Sequence, residues 1–443
     1  MKFAPASRKM CRVSILSLLV AVSCWSLSAQ AAPDEAKLRQ AISQQSNSPE
    51  AHLQLANFLL EGLRKQWAQR DPNLSGKAFQ KQADGFQIQS QELITLYEKV
   101  ISLQLHNVEA RVNLAEVYFV FLSEVNQAEI YLKQALEIDP NHIQAQIAMA
   151  EYMFFYKGER EQALSLIEKA LTVKPNHPDL SITLADLLTG GSLKAEDFAK
   201  AHLILEQALQ TQPQHEGLRY MQGSVWYRQS VLDPQKLDQA KAQKALDILL
   251  PILNSTPDAQ HSIEAAQIAQ SMGQLPLARK ILEQALVFAP QESQLTLLLG
   301  DYWLEQGSQT LEAGQLPVEA NEAERLYRQL LTPARLNLLT SGQQVQLYYN
   351  LGLLAQLKAK SNPGQALTHY SDAEKFFRQA LAIFDSINII NTPLQQDLSR
   401  VLESIAQIHE SSDPSKASTY YQQACSLKLE SACNWLKQKG FGP

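Results

Sequence analysis

The chain has 443 residues and a mass of 49.5 kDa, enough for about three ordinary domains or for one long array with a continuous core. A hydrophobic fraction of 45% with 19% charged residues excludes wholesale disorder. Lys plus Arg number 39 against 45 Asp plus Glu, net −6, which excludes the basic balance that nucleic-acid backbones attract, and 17 Gly with 19 Pro fit a helical chain better than a turn-rich β sandwich.

Lys2, Arg8, Lys9 and Arg12 form a positive leader, followed by an uncharged apolar run from Val13 to Leu27 and then by Ala29-Gln30-Ala31, the small-x-small pattern that a signal peptidase reads. The run has 15 residues, short of the ~20 that cross a bilayer as a helix. The expected product is a periplasmic or secreted protein cut between Ala31 and Ala32. A second reading stays open: Val20-Ala21-Val22-Ser23-Cys24 resembles a bacterial lipobox without its usual Leu. Cys24 would then be the acylated first residue of an outer-membrane lipoprotein, and only in that case is a membrane a partner. Removing residues 1–31 lowers the positive count from 39 to 35 and takes the net charge to −10. It also removes Cys11 and Cys24 and leaves Cys425 and Cys433, a pair eight residues apart that is a disulfide candidate in an exported chain.

The rest of the chain is self-similar, and a missed repeat would misassign the whole fold. Ala135-Leu136-Glu137-Ile138-Asp139-Pro140-Asn141-His142 recurs 35 residues later as Ala170-Leu171-Thr172-Val173-Lys174-Pro175-Asn176-His177. Ala208 with Pro213, Ile252 with Pro257 and Ala285 with Pro290 keep the same five-residue offset. Ala163, Leu164, Leu166, Ile167, Ala170 and Leu171 make the apolar stripe of an amphipathic helix, which the proline ends by disfavouring helical geometry before it. Leu114-Ala115, Met149-Ala150, Leu184-Ala185 and Leu351-Gly352 place a small residue beside a large one on a preceding helix, so that two antiparallel helices approach at the lower end of the ~8–10 Å range. Such a pair cannot bury both faces alone and must stack on neighbours.

Arg111, Leu114, Ala115 and Tyr118 on a first helix, with Ala128, Leu132, Ala135 and Pro140 on a second, resemble the tetratricopeptide repeat. The resemblance implies an all-α, right-handed superhelical solenoid of about nine helix pairs with a C-terminal capping helix. It divides the chain into a leader, 1–31; a first pair with a long insertion, 32–106; a regular array, 107–300; divergent units, 301–390; and a last unit with its cap, 391–443. Residues 64–90, 228–241, 305–321 and 358–372 read as insertions between the helices of a pair. Ala424-Cys425 and Ala432-Cys433 make the last unit similar to cysteine-bearing Sel-one-like repeats, which implies a staple across the turn and not a redox centre, since the spacing is not Cys-x-x-Cys.

No cofactor or metal is expected. His142, His177 and His215 each follow a helix-ending proline by two residues, and equivalent turns of a solenoid lie ~8–10 Å apart, too far to share a metal at ~2 Å bonds. No metalloprotease, nucleophile-elbow or phosphate-loop motif occurs, so no enzyme is expected. In this family the residue after the small one usually faces a concave groove. The resemblance therefore assigns Glu116, Glu151, Asp186 and Asp301 to that groove, with Ser224 interrupting, and Phe119, Phe154, Phe155, Tyr227 and Leu304 one turn further. An acidic ladder suits a cationic or amide-rich protein or peptide partner and repels carboxylates. The alternative is that the acids only solvate the first helices while the aromatics fill the core between repeats. The expected function is an envelope scaffold for protein–protein interaction. A subunit of a secretion, pilus or polysaccharide-export assembly, and a cell-wall or carbohydrate-active factor, remain as alternatives.

Overall fold

The computed structural model describes residues 34–68, 70, 76–233, 235–309, 316–386 and 391–440. The leader, with Cys24, Ala31 and Ala32, lies outside them. The chain divides into two compact units, residues 1–70 with 80–255 and residues 71–79 with 256–443. Every described element is a helix or a turn, and together they form nine helix pairs, five in the first unit and four in the second.

In the first unit a short helix α1 (Glu35–Gln44) precedes the pairs α2 (Pro49–Ala68) with α3 (Gly76–Leu103), α4 (Val108–Glu116) with α5 (Val125–Ile138), and α6 (Ile143–Tyr152) with α7 (Arg160–Val173). The pairs α8 (Pro178–Thr189) with α9 (Ala195–Thr211) and α10 (Glu216–Ser230) with α11 (Gln239–Ser255) complete it. The second unit contains α12 (Ala259–Ser271) with α13 (Leu275–Phe288), and α14 (Ser293–Gln309) with α15 (Val318–Leu330) followed by a single turn, α16 (Pro333–Leu336). Then come α17 (Ser341–Ser361) with α18 (Ala366–Ser386), α19 (Thr392–His409) with α20 (Pro414–Ser426), and the cap α21 (Glu430–Gln438).

The second helices stop where the prolines require. Ile138, Val173, Thr211, Ser255 and Phe288 each end a helix two residues before Pro140, Pro175, Pro213, Pro257 and Pro290. The next helix is then capped afresh. Asn107 accepts from the Ala110 amide at 2.8 Å, and the ring nitrogens of His142 and His215 accept from Ala145 and Leu218 at 3.3 and 3.2 Å. His177 occupies the same place without a side-chain bond, with Pro178 opening the helix behind it. The repeat histidines are thus helix caps at the turns.

Small residues set the interhelical spacing. Ala115, Ala150 and Ala185 are fully buried in the first unit, and in the second a Cβ on Gly300 or Gly352 would overlap the rings of Tyr327 and Phe377. The 64–90 stretch is mostly an extension of helix, because α2 runs to Ala68 and α3 opens at Gly76 and continues for 28 residues. The 358–372 stretch is likewise helix apart from a short turn at Asn362–Gln365, whereas 231–233 and 235–238 are non-helical and the Asp238 amide donates to the Ser230 carbonyl at 2.9 Å. Two features have no counterpart in the repeat pattern: π turns at Val117–Phe121 and Met153–Lys157, each inserted directly after the first helix of its pair.

Candidate functional site

Successive first helices of the first unit carry Glu116, Glu151 and Asp186, each directly after a buried alanine, and the three carboxylates meet different surroundings. Glu116 accepts from the Arg64 guanidinium of the preceding first helix, with Nε donating to Oε1 at 2.7 Å and Nη2 to Oε2. Glu61 takes a further Arg64 donor. Burial opposes the Arg64 charge, but the bonds with Glu116 and Glu61 outweigh it and hold its pKa above the ordinary arginine value. Asp186 is held from the other direction: Arg228 of α10 donates Nη1 to Oδ1 at 2.7 Å and also reaches the Thr189 hydroxyl at 3.0 Å. Ser224, which interrupts the ladder, is 3% exposed and belongs to the interior.

Glu151 lies between these two pairs, and no donor among the described residues reaches its carboxylate. Burial, then the charges of Asp186 and Glu116, push its pKa well above the usual carboxylate range. Its side chain is still partly open to solvent. A group enclosed by protein yet reachable from outside is what a concave face produces.

Asp301, in the second unit, has a third kind of environment. It accepts from the Tyr327 hydroxyl at 2.8 Å, from Asn350 Nδ2 at 2.6 Å and from Gln346 Nε2. Burial pushes its pKa up to about 7 against the opposing effect of those three donors. Asp301 therefore ties α14 to α15 and α17 through neutral donors, and its acceptor capacity is taken up by the fold.

The aromatic residues divide similarly. Phe119 is 3% exposed and packs edge-on against Tyr156 at 5.5 Å, so it is a core residue; Leu304 is buried as well. Phe154 and Tyr227 are half-buried. Phe155, 39% exposed, meets Phe154 edge-on at 5.0 Å, and Tyr156, 41% exposed, donates to the Phe119 carbonyl at 3.3 Å. Sequence reasoning missed Arg64, Arg228 and Tyr156. The two arginines sit at unrelated positions of their helices, eight residues after Ala56 and five after Gly223, so no repeat signal pointed to them.

Cys425, near the end of α20, and Cys433, in α21, are paired with Cα atoms 4.8 Å apart, and Trp435 stacks on Tyr421 at 4.0 Å beside them. Among the described residues no group of three or more His, Cys, Asp or Glu is placed to hold a metal, and no helix is long and apolar enough to cross a membrane.

Residues 108–142 and 263–316 match family models described as tetratricopeptide repeat. No curated protein matches the chain. Solved structures similar to it include a thermophilic TPR protein of Thermus thermophilus, with 19% identity, 44% of this chain and 99% of that chain covered, and a TM-score of 0.36. A tetratricopeptide repeat protein of Parabacteroides merdae shares 15% identity, with 67% and 98% covered and a TM-score of 0.37. PilF of Pseudomonas aeruginosa shares 17%, with 50% and 90% covered and a TM-score of 0.35. Similarity at this level carries nothing about partners. The two matched segments are tetratricopeptide repeats, and they lie within a run of nine helix pairs, five of which end on the same proline position.

Proposed function

We propose that the protein is an exported scaffold that binds a protein or peptide partner along the first-helix face of its first unit, through Glu151, which lies between the internally paired acids Glu116 and Asp186, and through the rings of Phe155 and Tyr156. The tetratricopeptide repeat is generally a non-catalytic interaction scaffold, and the leader pattern supports export. The observation that carries the reading is the exposure of two large rings, four and five residues after a carboxylate that the fold leaves unpaired. Exposed aromatic residues near an unpaired carboxylate suit a binding surface, and that carboxylate selects against acidic partners.

A photocrosslinking amino acid placed at position 155, compared with one at the exposed Glu137 on a second helix, tests this in living cells. The expected result is a discrete adduct from position 155 that Glu151→Lys abolishes, with none from position 137. No adduct at 155, or equal adducts at both positions, refutes it. Export is tested separately by the mature N-terminus: Ala32 marks a free exported protein, an acylated Cys24 marks a lipoprotein, and an intact Met1 refutes export.

A further inference from the structure

Three acids occupy one repeat position on α4, α6 and α8, and the fold supplies cations for the outer two only. Arg64 reaches Glu116 from the preceding first helix and Arg228 reaches Asp186 from the following one. Between them no cation of the described residues bonds Glu151, and Gly190, which ends α8, has no side chain to offer. The nearest cation on its own element, Lys157, is engaged with Glu129. Past Glu151 the π turn Met153–Lys157 carries Phe154, Phe155 and Tyr156, four and five residues on in the case of the two exposed rings, and Tyr156 is near enough to feel the Glu151 charge.

We infer that Glu151 is the seat of one protonated nitrogen presented by the partner, a lysine or arginine side chain whose alkyl stem lies against Phe155 and Tyr156. The inference deepens the proposed partner-binding face and rests on it. An arriving cation would be the missing counterpart of Arg64 and Arg228, giving the central acid the pairing that its two neighbours already have. The long apolar stem of lysine or arginine suits an exposed aromatic wall, and the charged head suits a recessed carboxylate. A metal ion is a poorer occupant, because a lone carboxylate supplies one of the several ligands such an ion needs. The raised pKa of Glu151 fits a site that holds a proton until a cation displaces it. The groups facing it are Asp186 with Arg228, Glu116 with Arg64, and Tyr156 on its own element.

The probe is the capped tripeptide acetyl-Gly-Lys-Gly-amide, titrated into the full mature protein labelled at its methionine methyls. Met149 and Met153 bracket Glu151, whereas Met272 lies in the second unit and serves as a control. Saturable shifts are expected at Met149 and Met153 and not at Met272. They should vanish when norleucine replaces lysine in the peptide, weaken at least tenfold in Glu151→Gln, and weaken as the pH is lowered through the titration of the carboxyl. Glu151→Gln keeps the side-chain volume and removes a charge that nothing pairs, so its thermal midpoint is expected at or above that of the parent. A lower midpoint would show that the fold itself holds the carboxylate, which overturns the inference. Absent shifts at Met149 and Met153, or shifts that Glu151→Gln leaves intact, overturn it as well. If crosslinks at position 155 persist in that case, the binding face stands and only the lysine seat falls; if they are absent too, both fall.

Discussion

Replacing Asp301 with Asn removes a charge but keeps the shape of the side chain that joins α14, α15 and α17. In the parent, burial lifts the carboxyl from its ordinary 3.8 to about 7, while Tyr327, Asn350 and Gln346 work against that shift by bonding the ionised form. Between those two values the native state binds a proton that the unfolded chain has released, so stability falls as pH rises, by up to about 1.4 kcal/mol per pH unit. Integrated from pH 5 to pH 8 the loss is about 2.5 kcal/mol, an upper figure because solvent still reaches part of the side chain. The amide introduced by Asp301→Asn does not titrate, and it can be accommodated by rotating the Tyr327 hydroxyl and flipping Gln346. The assay is urea unfolding of the mature parent and Asp301→Asn at each pH unit from 5 to 8, followed through the fluorescence of Trp303 on the same helix. Taking the difference between the proteins cancels the titration of every other group. The parent should lose ground to the variant steadily as pH rises. A difference flat to within ~0.5 kcal/mol would mean that the three donors keep Asp301 ionised throughout, and the reasoning from burial would be refuted.

Three further outcomes follow from the packing and pairing. Arg228→Met leaves Asp186 in a partly buried site without its cation and should cost about 1–2 kcal/mol; Asp186→Leu in the same chain should recover most of it, and a double-mutant cycle by urea unfolding measures the coupling. Gly352→Ala forces a methyl into the Phe377 ring and should cost about 1–3 kcal/mol, whereas Gly85→Ala on α3, with nothing within 4 Å of the new methyl, should gain about 0.5–1 kcal/mol; thermal unfolding of the two distinguishes close approach from helix propensity. Cys433→Ser opens the eight-residue link to Cys425 and should cost about 2–3 kcal/mol in protein recovered from an oxidising compartment; the parent from that compartment should have an intact mass about 2 Da below its fully reduced value, the two hydrogens lost per bridge, and two free thiols there would refute the staple.

Much of the fold was legible because its determinants are local. A proline cannot extend a helix and a small residue permits close approach, and both rules act within a few residues, so five helix ends and the small-residue contacts were readable position by position. For the 64–90 stretch, a break in repeat spacing records only that residues were added. Whether they extend a helix or form a loop depends on local propensity, and the added residues here are good helix formers such as Lys81, Gln82 and Ala83. The π turns gave no signal because they require one extra residue within a helix and no particular side chain.

For the candidate site the sequence offered the repeat position of each acid but not its partner, and the reason is geometric. Each of Glu116, Glu151, Asp186 and Asp301 directly follows the small residue of its first helix, so the resemblance to the repeat assigned all four to one position. What meets each acid comes from another helix pair and follows no repeat: an arginine eight residues past the small residue for Glu116, an arginine five past it for Asp186, and two amides and a phenol for Asp301. A charge taken out of water stays in a fold when it is paired, when donors satisfy it, or when it gives up its ionised form. The first outcome holds for Glu116 and Asp186, and the second, leaning toward the third, for Asp301. Glu151 has neither cation nor donor, so its ionised form waits on a charge from outside the chain. Four acids alike by sequence thus separate into three that the fold consumes and one that it leaves for a ligand.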